Sequence, residues 1–151
     1  MNESAGNVED TIRTPFGTQK LAVLSTQRSG QPYASLVAFV ASGDLKHLYF
    51  ATARTTRKYH NLEVDPRVAM LIDSRSNLES DIHTAVAVTA TGNAGEVRAQ
   101  ERDQGVRLYL AKHPYLQDFI RAESCALIRV AVETYYLVSL FQQVMELHVL
   151  P

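Results

Sequence analysis

The chain has 151 residues, 46% of them hydrophobic and 21% charged, which is the composition of one globular domain rather than of a disordered segment. Fifteen basic residues against sixteen acidic ones give a formal net charge of −1, which argues against nucleic acid or an anionic membrane as partner. A single cysteine excludes an intrachain disulfide and a thiolate cluster for zinc or iron–sulfur.

Residues 1–15 read as an N-terminal tail, the first ten of them polar, acidic and frayed. They lack the basic and apolar stretches of a secretory signal, so a cytoplasmic protein is expected. Residues 16–151 form the domain. From Leu21 the pattern is β-rich: residues 21–26 are a short apolar run, residues 28–32 a turn cluster, and residues 33–41 a second run with little alternation, expected to be buried on both faces. Residues 42–44 turn the chain and residues 47–53 return as a third strand, giving a hairpin.

The period then changes. Residues 55–64 predict a helix ended by Asp65-Pro66, residues 67–73 a fourth strand, and residues 74–81 a polar loop. Residues 84–97 form a long strand of small and β-branched residues, broken near Gly92 or Gly95. Residues 101–113 are helical, with Val106, Tyr109 and Leu110 on one face, and residues 115–121 add a further turn after Pro114. Residues 126–132, 135–141 and 144–149 close the chain as three strands. About seven strands joined mostly by short turns, with two inserted helices, predict a mainly β fold: an antiparallel sheet closed into a small barrel.

The chemistry-bearing stretch runs from Leu48 to Leu62, where a strand feeds a helix whose first turn holds Thr55, Thr56, Arg57 and Lys58. Cations there oppose the helix dipole, which favours anions at that end. Hydroxyls, free backbone N–H groups and two cations at a helix start make a phosphate cradle. The alternative is a capped surface helix with solvated basic residues. The smallness of residues 84–92 lets a flat cofactor ring or a second backbone approach, and packing favours a dimer interface. Cys125, in an apolar segment, reads as an inert core thiol. The five histidines show no ligand spacing, so no metal site is expected.

The motifs Leu21-Ala-Val-Leu-Ser-Thr26, Gly30-Gln-Pro-Tyr-Ala-Ser35, Leu48-Tyr-Phe-Ala-Thr52, Thr56-Arg57-Lys58, Asn61-Leu62 and Asp65-Pro-Arg-Val-Ala69 resemble the flavin mononucleotide (FMN)-binding split barrels, the superfamily of pyridoxamine 5′-phosphate oxidase. The resemblance implies a homodimeric split β-barrel with FMN sites at the subunit interface. It places Ser35 where a strand residue, often arginine, reaches the flavin phosphate; serine removes one cation. It implies that Leu36 and Val37 contact the ring through backbone, that Ala51 and Thr52 flank the isoalloxazine and ribityl chain, and that Thr56, Arg57 and Lys58 hold the phosphate. The small-residue strand from Ala85 to Thr91 is expected to help form the interface, and Tyr109 or Tyr115 to line the space for a small-molecule substrate.

In the vitamin-metabolising oxidases a second phosphate pocket uses a tyrosine, an arginine and a serine at four-residue spacing on the second helix. The matching positions here are Tyr109, His113 and Gln117, and the strand lysine of that pocket corresponds to Val40. Pyridoxamine phosphate is therefore not the expected substrate. The segments Arg107-Leu-Tyr-Leu-Ala-Lys-His-Pro114, Leu127-Ile-Arg-Val130 and Tyr136-Leu-Val-Ser-Leu-Phe141 are similar to the haem-utilisation branch, without its glycines or its histidine-bearing extension. The expectation is a cytoplasmic FMN-dependent oxidoreductase, with no nucleic acid or membrane partner and no named catalytic acid or base. The alternatives are a non-catalytic flavin- or haem-binding protein, a haem-degrading split-barrel oxygenase, or a barrel holding a deazaflavin or nothing at that site.

Overall fold

The computed structural model describes residues 3–139 and 143–151. The chain opens with α1 (Glu3–Thr18), where a frayed tail was expected over the first ten residues. Val8, Ile12 and Phe16 fall on one face at four-residue spacing and are buried in the main core. The aromatic ring of Phe16 meets Phe39 and Tyr135 edge-on, with centroids 5.8 and 5.7 Å away.

Seven strands follow: β1 (Leu21–Arg28), β2 (Gln31–Ala41), β3 (His47–Ala53), β4 (Arg67–Asp73), β5 (Ala87–Glu96), β6 (Cys125–Ser139) and β7 (Gln143–His148). Their order in the sheet is β3-β2-β1-β4-β5-β6-β7, and β3 also pairs with β6. All pairings are antiparallel, so six strands close a barrel and β7 adds one strand outside it. The β1–β2 hairpin turns through Ser29 and Gly30, both at positive φ, the conformation that matches strand twist in a two-residue turn.

The three closing strands expected from sequence are two. Residues 126–132 and 135–139 belong to one strand, β6, while Leu140 and Phe141 of the expected strand lie outside the described residues. Glu133 and Thr134, the gap between the two expected strands, continue the single strand, Glu133 facing outward and Thr134 buried. The break expected near Gly92 is present: the β5–β6 register shifts between Thr91 and Gly92. A Cβ at Gly92 would lie 2.1 Å from the Ala131 carbonyl oxygen, so only glycine fits this approach.

Between the strands lie α2 (Arg57–Val64), the short α3 (Asp81–Thr84), α4 (Ala99–Lys112), a 3₁₀ turn (Pro114–Leu116) and α5 (Gln117–Arg121). Leu24, Leu48, Phe50, Met70, Ile72, Val88 and Ile128 fill the barrel, and Tyr59 and Leu62 of α2 join them. A second, smaller core forms where Tyr109 of α4 and Ile120 of α5 meet Val40, Ala51, Cys125 and Leu127. Among the described residues no helix is long and apolar enough to cross a membrane.

Candidate functional site at the start of the second helix

Thr56 is the N-cap of α2. Its backbone is extended and its Oγ1 accepts the Tyr59 N–H at 3.3 Å. The same hydroxyl donates to the Ala53 carbonyl at 2.9 Å and shares a 2.8 Å bond with Thr52 Oγ1. The His60 N–H reaches the Thr56 carbonyl, so the N–H groups of Arg57 and Lys58 are the donors of the first turn with no acceptor among the described residues. Arg57 is exposed and lies over the Tyr33 ring, 5.4 Å from its centroid. Lys58 is half-buried and has no ion-pair partner among the described residues. Arg28, Gln31, Pro32, Tyr33, Arg57 and Asn61 line a recess of about 410 Å³ beside this turn. Asn61 is fixed there by donating to Thr26 Oγ1 at 3.1 Å.

The remaining predicted positions divide. Ser35, on β2 opposite Leu24, keeps its Oγ buried with no hydrogen-bond partner among the described residues. Leu36 is 64% exposed, which corrects the expectation that this strand is buried on both faces; Val37 turns into the core. Strand pairing sets Leu36 beside Val23, Leu71, Thr89 and Tyr136 in one row across five strands. All of these residues are exposed or half-exposed on the outside of the barrel. Ala51 and Thr52 are buried, and the Thr52 hydroxyl is occupied by Ala53 and Thr56. These two positions can offer a ligand their backbone rather than their side chains.

Tyr115 is 63% exposed and Tyr109 only 1%, so the two tyrosines expected over a substrate are not brought together on one open surface. Tyr109 meets the His113 ring at a tilt of 50°, with centroids 5.0 Å apart. His113 is fully buried: its Nε2–H donates to the Phe39 carbonyl at 2.7 Å, which leaves Nδ1 to accept from the Tyr115 hydroxyl at 3.3 Å. Burial lowers its pKa below the ordinary histidine value. Next to it the Lys112 ammonium donates to the Phe16 carbonyl at 2.9 Å and lies 3.7 Å from the Phe39 ring centroid, and burial pulls its pKa down to about 8. Cys125 is buried and its thiol is pushed up by desolvation, as expected of a core cysteine.

One group escaped sequence reasoning. The Glu96 carboxylate, 9% exposed, binds Arg54 through both oxygens and also accepts the Tyr59 hydroxyl at 2.8 Å. Arg54 therefore does not extend the basic cluster of Arg57 and Lys58. Glu96 is 42 residues from Arg54, and only its position as an acid closing a strand of small residues marks it in the sequence.

The family model for pyridoxamine 5′-phosphate oxidase matches residues 8–139. No curated protein matches the chain. Among solved structures, a heme binding protein from Mycobacterium smegmatis superposes with TM-score 0.83 at 17% identity, over 98% of this chain and 59% of that one. ChuZ from Campylobacter jejuni gives 0.81 at 17% identity, over 98% of this chain and 61% of that one. The chain thus spans less than two thirds of either protein. An FAD-binding protein from Mesorhizobium loti gives 0.67 at 18% identity, over 87% of this chain and 90% of that one. At these identities the likeness is one of fold.

Proposed function

The chain belongs to the pyridoxamine 5′-phosphate oxidase family, and from that premise we propose that it is a cytoplasmic, homodimeric flavoprotein that binds FMN non-covalently. The observation that carries this reading is the first turn of α2. Two N–H groups with no acceptor among the described residues lie in that turn with Lys58, beside a recess that Arg57 and Arg28 line, which is the chemistry a phosphate monoester requires. The Ser35 Oγ, buried on β2 with no hydrogen-bond partner among the described residues, is a further polar group that a phosphate or ribityl oxygen would satisfy. On this reading Arg57, Lys58 and the cap of α2 hold the phosphate. The backbone of Leu36, Val37, Ala51 and Thr52 flanks the ring.

The outward row through Leu36, Val23 and Leu71 supports a second copy of the chain as the other wall. It is a run of apolar side chains on strand faces, and Leu21 beside it is 53% exposed. Bound flavin supplies hydride or single-electron transfer, while the protein positions it and shields it from water. A small-molecule substrate would then meet the ring near Tyr115. Pyridoxamine phosphate is disfavoured because Tyr109 and His113, at the positions of its phosphate pocket, are closed into the core, and Val40 brings no charge.

A second reading, haem binding, is favoured by the likeness to the Mycobacterium smegmatis heme binding protein. The test is the visible spectrum of the freshly purified protein before and after dithionite. Two flavin bands that bleach on reduction support the first reading, and a Soret band supports the second. A colourless protein that takes up neither added FMN nor added haem overturns both.

A further inference from the structure

Glu96 is the last residue of β5, and its side chain is nearly enclosed. Enclosing a carboxylate is unfavourable unless donors surround it. Here Oε1 accepts from Arg54 Nε at 3.1 Å and from the Tyr59 hydroxyl at 2.8 Å, and Oε2 accepts from Arg54 Nη2 at 2.7 Å. Arg98 approaches Oε1 to 3.7 Å. Arg54 is anchored a second time through its Nη1 on the Glu123 carbonyl at 2.9 Å and a third time through its N–H on the Ser124 carbonyl at 3.0 Å.

The two side chains held by Glu96 bracket one short segment. Arg54 stands before Thr55, Thr56, Arg57 and Lys58, and Tyr59 follows them. One carboxylate therefore pins both ends of the stretch that carries the free N–H groups and the two cations. We propose that Glu96 is the positioning residue of the phosphate cradle, holding the β3–α2 turn so that the first turn of α2 faces a phosphate monoester. This rests on the FMN-binding reading above. Glu96 does not touch the ligand; it acts through Arg54 and Tyr59.

Positioning and bare electrostatics predict opposite signs. Glu96→Gln removes a negative charge near an anion site, and through space alone that tightens anion binding. Loss of the pinning loosens it. The experiment measures dissociation constants of FMN and of riboflavin, which lacks the phosphate, by fluorescence quenching of the full chain. In E96Q the FMN constant rises about tenfold while that of riboflavin is unchanged. Tyr59→Phe keeps the ring and the carboxylate charge and removes only the phenol donor. It raises the FMN constant about threefold, again without change for riboflavin, and stands in if E96Q does not fold. Unchanged or tighter FMN binding, or equal weakening of both flavins, overturns the proposal. Wild-type protein that binds no FMN overturns the reading beneath it; wild-type binding with unaltered variants overturns the positioning role alone.

Discussion

At the start of α2, Arg57 lines a recess together with Arg28, Lys58 and two N–H groups with no acceptor among the described residues share its turn, and the Thr52 and Thr56 hydroxyls are spent in holding that turn. Along α4 the arrangement is inverted. Tyr109 and His113 face inward, one 1% exposed and the other fully buried, and the one ring N–H that could serve a ligand is spent on the Phe39 carbonyl. These are the helix positions where the resemblance places a second phosphate pocket. The barrel thus offers one helix start to an anion and has turned the matching face of the other helix into core. Buried area rather than charge decides the second case. Tyr109 packs with Val40, Ala51, Cys125 and Leu127, and a cation at Val40 would have to enter that apolar cluster.

The comparison breaks most readily at Tyr109. Tyr109→Ala removes a whole aromatic side chain from the second core and is expected to cost about 3–4 kcal/mol of stability, read by urea unfolding. A loss under about 1 kcal/mol would mean that this side chain is not core and that α4 can open toward a ligand. Next in size is the double variant Arg57→Ala, Lys58→Ala. It is expected to weaken FMN binding about 100-fold with a nearly unchanged urea midpoint, because Arg57 is exposed, Lys58 is only half-buried, and neither belongs to either hydrophobic core. Equal flavin content in variant and wild type would reduce the start of α2 to a capped surface helix. His113→Ala follows, at about 2 kcal/mol of stability, since it leaves the Phe39 carbonyl buried without its donor.

The contrast between the helices was half legible. Thr56 before a helical run and Asp65-Pro66 after it mark α2, and the structure places its cap at Thr56. The charges beside the cap carry their meaning locally, through a dipole that depends only on the helix start. The inward turn of Tyr109 and His113 depends on what α4 packs against, and β2, β3 and β6 are distant in sequence. The spacing of Tyr109 and His113 fits a ligand-facing stripe and a core-facing stripe equally well. The same non-locality hid Glu96, whose partners lie 37 and 42 residues away. At the N-terminus a signal was present in Val8, Ile12 and Phe16, but Gly6, Pro15, Gly17 and the threonines between them have low helix propensity. Docking on Phe39 and Tyr135 supplies what propensity lacks. In β6 the polar pair Glu133 and Thr134 reads as a break in sequence, but the strand stays paired to β5 across the register shift, with Glu133 as the extra residue opposite Thr91 and Gly92.

The smallest expected effect sharpens the comparison through pH dependence rather than through a loss of packing at a single pH. Burial is the main cause that lowers the His113 pKa below its ordinary 6.5, with the nearby Lys112 and Lys20 cations acting in the same direction and the bond to Phe39 opposing them. A base whose folded-state pKa is lowered stays neutral in the fold while the unfolded chain takes up a proton. Stability from this residue is therefore complete above about pH 6.5 and declines as pH falls from there toward the folded-state value. His113→Gln keeps a side-chain N–H for the Phe39 carbonyl and cannot titrate. Urea midpoints of wild type and H113Q between pH 7.5 and 5 should diverge on the acid side, the wild type losing more. Parallel curves would mean that His113 takes up its proton equally well in the fold, which a ring enclosed between Phe39 and α4 cannot do without opening toward water. In that case the face of α4 would be accessible after all, and the barrel would offer an anion a second site.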